Sequence, residues 1–207
     1  SNESGKTDIA ISVSDDEIRE RLRLSDNLSE QGAEDVLILS KFCNAVLDGF
    51  DGFFFHSSCL ELDGEGYVFS AVSGTGKSTH TALWRRHFGN RVTMINDDKP
   101  VIRKCDGKFY IYGTPWMGKA DIGTNTKAPV KAVYMLQRAE ENTAVRVLPS
   151  QVMKQLLEAT VIDVERSRME KLLELLDEFF KETPLFLLGC NMDESAVMTA
   201  YNAANGG

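Results

Sequence analysis

The sequence predicts an α/β fold carried by a single domain over residues 1–207. Short apolar, β-branched and aromatic runs alternate with stretches whose apolar residues recur at helical spacing. Neither an internal repeat nor a Pro/Ser-rich linker divides the chain. With 43% hydrophobic residues among 207, the chain is long and apolar enough for one well-filled core.

Taken in order, residues 9–13 alternate like a short strand. Ser14 followed by Asp15, Asp16 and Glu17 then reads as a helix start with acids in its first turn. A longer helix is expected over 33–48, where Val36, Leu39, Cys43, Val46 and Leu47 share a face, with Gly49 and Gly52 stopping it. Three short strands follow, over 53–55, 59–62 and 67–69, the last two joined by an Asp63-Gly64 hairpin turn. The third runs into a glycine-rich stretch, after which 79–88 is helical and ends at Gly89-Asn90. Residues 91–95 read as a buried strand that delivers Asn96-Asp97-Asp98, and a hairpin turns through Cys105-Asp106-Gly107. Residues 113–129 lack periodicity and form a loop, a length often reserved for function. Strands over 130–136 and 144–147 come next, then a helix from Ser150 with Val152, Met153, Leu156 and Leu157 on one face. A further helix carries Met169, Leu172, Leu173, Leu176 and Phe180 as its stripe, and Pro184 ends it before a strand over 185–188. A helix over 193–203 closes the pattern.

The formal net charge of −8, with basic residues scattered, argues against a nucleic-acid binder. No run of about eighteen apolar residues suggests a membrane span, and no signal-peptide layout is present, so a cytoplasmic protein is expected. The start at Ser1-Asn2 without an initiator Met reads as trimmed. Cys43, Cys59, Cys105 and Cys190 are widely spaced and read as reduced.

The chemistry concentrates in Ala71-Val72-Ser73-Gly74-Thr75-Gly76-Lys77-Ser78. A strand, a glycine-rich turn and a helix opening with Lys-Ser can hold polyphosphate, because backbone N–H groups surround the anion and the helix N-terminus adds favourable partial charge. Glycine permits positive φ and close approach. In that layout Ser73, Gly74, Thr75, Gly76, Lys77, Ser78 and Thr79 bind the nucleotide, Lys77 meets the β- and γ-phosphates, and Ser78 offers a hydroxyl to Mg2+. Ala71 departs from the first glycine of G-x-x-x-x-G-K-[ST], and an ordinary glycine turn capped by Ser78 is the plainer alternative. Downstream, Asp97 suits a base toward an attacking hydroxyl and Asp98 a metal ligand, with the reverse order left open. A solvated turn leading into Pro100 is the structural alternative.

The strings Ser73-Gly74-Thr75-Gly76-Lys77-Ser78 and Asp97-Asp98 resemble the catalytic domain of HPr kinase/phosphorylase. They are also similar to the nucleotide-binding part of ATP-dependent phosphoenolpyruvate carboxykinase. Phe55-His56-Ser57-Ser58, Asn96-Asp97-Asp98-Lys99-Pro100 and Gly113-Thr114-Pro115-Trp116-Met117-Gly118-Lys119 resemble a small bacterial branch of that kinase group, over residues 33–203. The resemblance implies a mixed β-sheet wrapped around the loop, phosphate contacts from Ser73 to Lys77, Mg2+ at Ser78 and Asp98, and Asp97 as base. It places His56 on a strand upstream of the loop, near the phosphates or satisfied by backbone groups. A hydroxyl kinase using ATP, with GTP as an alternative donor, is the function implied. Its acceptor is a serine of a peptide or protein, or a small molecule, and homo-oligomers occur in the resembling family. The acceptor-docking signature of HPr kinases has no match, and carboxykinase activity is not expected because that enzyme's substrate and metal sites have no counterpart.

Trp116, Lys119 and Lys127 are candidates for a lid over the nucleotide or acceptor, Trp116 packing on the core being the alternative. His80, Arg85 and Arg86 read as exposed helix residues. A nucleotide-sensing module without turnover is the competing class, disfavoured by Asp97, since binding alone needs no base.

Overall fold

The computed structural model describes residues 9–25, 27–72, 74–118 and 120–206. Its central strand is β7 (Lys127–Arg138). Ala132, Tyr134 and Leu136 of this strand are buried in one core, and Val133 and Met135 in another on the opposite face. That alternation is the signature of a pleated strand covered on both sides.

The strands before it are β1 (Gly52–Phe54), β2 (Ser58–Leu62), β3 (Glu65–Ser70), β4 (Val92–Asn96), β5 (Val101–Cys105) and β6 (Lys108–Tyr112). β8 (Thr143–Arg146) and β9 (Leu185–Cys190) follow it. β3 and β9 both run parallel to the C-terminal half of β7, with Ser70 opposite Met135 and Cys190 opposite Arg138. β2 pairs antiparallel with β3, β4 antiparallel with β2, and β8 antiparallel with β9. The first residues of β7 pair instead with β6, which continues through β5 to β1. β7 therefore belongs to two arms of one mixed, curled sheet. The two Asp-Gly hairpins turn as expected: Asp63 and Gly64, and Asp106 and Gly107, all have positive φ, the requirement of the tight turn that matches strand twist.

The helices are α1 (Asp15–Arg23), α2 (Glu30–Phe50), α3 (Lys77–Phe88), α4 (Pro149–Ala159), α5 (Met169–Glu182) and α6 (Ser195–Ala204). Ser14 and Glu17 form the capping box that the sequence announces. α4 and α5 bury Val152, Leu156, Leu172, Leu176 and Phe179 against Phe53, Phe55, Val68 and Val133. On the other face α3 and α6 bury Trp84, Val197 and Ala200 against Tyr67, Phe69, Tyr134 and Phe186. The rings of Phe69, Tyr134 and Phe186 stack across the three parallel strands, with centroids 5.1 and 5.3 Å apart. Each such ring contributes roughly 1.5–3 kcal/mol by burial, so the stack fixes the register of the strands that carry the site.

Several expectations are corrected. Among the described residues, 9–13 join no ladder; Ile9 packs against the cluster of Cys43, Val46, Phe54 and Val101. α2 begins at Glu30 and runs through Gly49 to Phe50, ending at Asp51 with φ 46°. A single helical glycine costs only about 1 kcal/mol, which packing outweighs. β7 starts at Lys127 and includes Pro129, paired with Tyr110, so the loop shrinks to 113–126. In α5, Leu173 lies 49% exposed while Leu175 and Phe179 turn inward, a rotation of the predicted stripe. All four cysteines are free thiols.

The buried Tyr134 hydroxyl donates to the Ala200 carbonyl at 2.8 Å, tying α6 to β7. Tyr134→Phe keeps the ring stack but loses this bond between α6 and β7, and is expected to lower the unfolding free energy by about 0.5–1.5 kcal/mol. Urea unfolding followed by tryptophan fluorescence measures this.

Candidate functional site

β3, β7 and β9 are parallel and end on the same edge of the sheet; β4, two antiparallel steps from β3, runs the same way and ends there too. Ligands of α/β sheets sit off the C-terminal ends of the strands, where loops are free to diverge. Ser70 and Asn96 thus place the glycine loop and the Asp97-Asp98 pair side by side, although Lys77 and Asp97 lie far apart in sequence.

The glycine loop leaves β3 at Ser70, whose hydroxyl donates to the His56 carbonyl at 2.9 Å. Gly74 has φ 79° and Gly76, the N-cap of α3, has φ 118°, both in the region that favours glycine. A Cβ at Gly74 would meet open space, so its backbone angle, and not crowding, requires glycine. Among the described residues no side chain caps α3, and no acid lies in its first turn, in contrast to α1 with Asp15, Asp16 and Glu17. The N-terminal N–H groups of α3 therefore stand open to an anion. Ser78 and Thr79 are exposed at this end, and Ser73 lies outside the described residues.

Lys77 is buried, and its ammonium donates to the Ala71 carbonyl and to His56 Nε2, each at 3.1 Å. Burial lowers its pKa from the ordinary value, against the opposing fields of Asp98 and Asp97. Because His56 accepts at Nε2, its proton sits on Nδ1, which lies 3.0 Å from Asp98 Oδ1. Asp98 Oδ2 receives the Lys99 ammonium at 2.5 Å. Burial alone would raise the Asp98 pKa, but the hydrogen bonds from His56 and Lys99 outweigh it and hold the carboxyl at about 2. The result is a continuous chain from the glycine loop through Lys77, His56 and Asp98 to Lys99.

Asp97 is half-buried and differently placed. Its Oδ1 accepts from the fully buried Ser58 hydroxyl, which in turn lies 3.0 Å from Thr81 Oγ1 on α3. Asn96, fully buried, builds the turn beneath both acids: Oδ1 accepts from the backbone N–H groups of Asp98 and Lys99 at 2.9 Å, and Nδ2 donates to Thr114. This is the asparagine turn chemistry that substitutes a side chain for a backbone turn.

The 113–126 loop is fastened to that turn. Lys99 N donates to the Trp116 carbonyl, Thr124 N to the Ile95 carbonyl, and Thr114 Oγ1 to the Lys99 carbonyl. A Cβ on Gly113 would stand 2.2 Å from the Thr124 carbonyl oxygen, so only glycine fits. The Trp116 ring packs edge-to-face on Phe42 and Phe54, both at 5.6 Å, away from the glycine loop. Lys127 begins β7, at the end opposite Arg138, with its ammonium over Tyr110 and Tyr112, too remote for a lid. Lys119 lies outside the described residues. Arg85 and Arg86 are exposed as expected, but His80 is buried, its Nε2 accepting from Trp84 Nε1.

Sequence reasoning missed three contributors. Arg138, at the end of β7, donates to the Gly74 carbonyl at 2.7 Å and braces the loop; only the strand pairing reveals it. Lys99 carries no role that its motif announces, and Asn96 announces only a turn, as Asn before Asp-Asp-Lys-Pro does.

Two depressions flank the glycine loop. One, of about 710 Å3, is lined by His56, Ala71, Val72, Lys154 and Glu158; the other, of about 510 Å3, by Gly76, Thr79, His80, Leu83 and Met192, with Thr75 and Arg138 bordering both. Among the described residues no three His, Cys, Asp or Glu side chains form a ready metal cage. The donors present, an ionised Asp98 and the exposed Ser78 hydroxyl, fit a Mg2+ that takes few protein ligands and completes its shell with water and phosphate oxygens. Among the described residues no helix is long and apolar enough to cross a membrane.

No protein-family model matches the chain, and no curated protein matches it in sequence. Among solved structures it is similar to the Hpr(Ser) kinase/phosphatase from Coxiella burnetii. The identity is 12%, the match covers 74% of this chain and 93% of that one, and the TM-score is 0.41. A likeness of that size leaves this chain's chemistry to its own residues.

Asn96→Ala removes both sets of bonds that hold the carboxylate turn, and is expected to cost about 1–3 kcal/mol of stability. Amide shifts of Asp98, Lys99 and Trp116 should move together in the variant's NMR spectrum.

Proposed function

We propose that this chain is an ATP-dependent kinase that transfers the γ-phosphoryl group to a hydroxyl of a peptide, a protein or a small molecule. The observation that carries this reading is the juxtaposition of an uncapped, glycine-preceded α3 and a buried Lys77 with two carboxylates of unlike environment. Phosphoryl transfer needs charge neutralisation and positioning above all, and that is what such a constellation supplies.

The open N–H groups of 74–79 and the Lys77 ammonium bind the phosphates. Lys77 is already desolvated and held on one side by Ala71 and His56, so little reorganisation remains on contact with the anion. Ser78 and Asp98 would hold Mg2+, which when bound neutralises charge on the phosphate oxygens. Asp98 suits this role and not that of base, because two donors hold it ionised with a pKa near 2. Asp97 keeps lone pairs outside its Ser58 bond and accepts the proton of the attacking hydroxyl; the new bond joins acceptor oxygen to the γ-phosphorus as the bond to the nucleoside diphosphate breaks. His56 acts through others: it positions Asp98 and Lys77 relative to each other.

Mg2+ labelled ATP offered to wild type with serine peptides, free serine, small metabolites and a cell extract tests the reading. Label is expected on a hydroxyl acceptor, with Asp97→Asn losing about a hundredfold or more in rate while retaining the Mg-ATP thermal shift, and Lys77→Ala losing both. Tight Mg-ATP binding with no labelled acceptor would favour a nucleotide sensor instead; no thermal shift would remove the nucleotide altogether.

Lys99 adds a second prediction. Its ammonium sits on Asp98 Oδ2, so it competes with a divalent cation for that carboxylate. Lys99→Met is expected to tighten Mn2+ binding, read by electron paramagnetic resonance without nucleotide, by about tenfold.

A further inference from the structure

Resting on the kinase reading above, we propose that Ser58 and Thr81 are positioning residues for the base: a buried chain of two hydroxyls, running from α3 through the start of β2, holds the Asp97 carboxylate in one orientation relative to the phosphates. Both side chains are sealed from any ligand, at 0% and 1% exposure, and so act through Asp97.

The chain begins on the helix whose N-terminus faces the phosphates. Lys77 and Thr81 lie one turn apart on the same face of α3. They contact His56 and Ser58, the residues that lead into and open β2. Each contact continues to one of two adjacent carboxylates, Lys77 through His56 to Asp98 and Thr81 through Ser58 to Asp97. α3 is thereby tied twice to the turn after β4. β2 is the strand between, pairing with β3, which feeds the glycine loop, and with β4, which delivers the acids. Ser58 stands opposite Phe69 of β3, and its neighbour Cys59 opposite Asn96 of β4.

The protons give the chain a direction. A hydroxyl carries a single proton and a carboxylate only accepts, so the Ser58 hydroxyl donates to Asp97 Oδ1, 2.5 Å away. The 3.0 Å contact between Ser58 Oγ and Thr81 Oγ1 is then donated by Thr81. Thr81 also has the Ser78 and Lys77 carbonyls of its own helix at 3.2 and 3.4 Å, so its own satisfaction does not call for Ser58. Apolar side chains of like size would fill the same space with no buried polar group to satisfy. What the hydroxyl pair adds is a fixed Asp97. A bond to a carboxylate is stronger than one between neutral groups, and burial keeps water from competing for it. With Oδ1 held, Oδ2 is left to the attacking hydroxyl, and a displacement of the base by about 1 Å would cost about a hundredfold in rate.

The full chain with Mg2+, labelled ATP and the serine peptides and cell extract named above tests this, with calorimetry of Mg-ATP alongside. Ser58→Ala should lower the transfer rate by about tenfold or more while Mg-ATP affinity stays within about twofold. Thr81→Val keeps the shape of the side chain without its hydroxyl; it should lower the rate in the same direction, and serves if Ser58→Ala fails to fold. Thr81→Ser should recover the rate. On an Asp97→Asn background Ser58→Ala should cost no further rate, since groups that act as one unit are not additive. Full rate in Ser58→Ala, a matching loss of Mg-ATP affinity, or an undiminished loss on the Asp97→Asn background would overturn the positioning role and leave the kinase reading standing. Wild type that binds Mg-ATP but labels no acceptor would overturn both.

Discussion

The site is organised around one buried cation. Lys77 loses most of its hydration where three parallel strands end, and a desolvated ammonium must find partners or shed its charge. It finds the Ala71 carbonyl, which fixes the curvature of the glycine loop, and His56 Nε2, which dictates the histidine tautomer. That tautomer points its N–H at Asp98 and, with Lys99, keeps Asp98 ionised. One buried ammonium is thereby linked, through His56, to a carboxylate that follows a different strand.

The rest of the fold keeps those partners in reach. His56 follows β1, Lys77 opens α3 and Asp98 follows β4, elements that never pair directly with one another in the sheet. What relates them is the common edge at which β3, β4, β7 and β9 end, and the stack of Phe69, Tyr134 and Phe186 that holds β3, β7 and β9 in register beneath it. A slip of one residue in that register would turn Ser70 and Arg138 to the wrong face. Asn96 does locally what the stack does globally: it fixes the carboxylate turn and binds it to the 113–126 loop.

Much of this was legible in the residues. The two Asp-Gly turns, the capping box of Ser14 and Glu17, and the strand–loop–helix around Lys77 follow from local chemistry, and the structure has them where the sequence places them. What local chemistry does not carry is pairing. Arg138 has no motif, and its bond to Gly74 exists because β7 runs parallel to β3. His80 reads as an exposed helix residue until the aromatic face of β3 is placed against it. Trp116, in a glycine- and proline-rich loop, resembles a lid, but Phe42 and Phe54 offer its ring an apolar cluster that no periodicity announces. Residues 9–13 alternate as a strand should, yet among the described residues they pair with no strand.

The central claim is that the glycine loop and the two carboxylates form one phosphate and metal site. A crystal grown with Mn2+ and a non-hydrolysable ATP analogue measures it directly through the anomalous signal of the metal. The account predicts a Mn2+ peak at Asp98 and Ser78, phosphates along 74–79 and the Lys99 ammonium released from Asp98. A nucleotide bound elsewhere, or Mn2+ that ignores Asp98 while Lys99 stays in place, would contradict it.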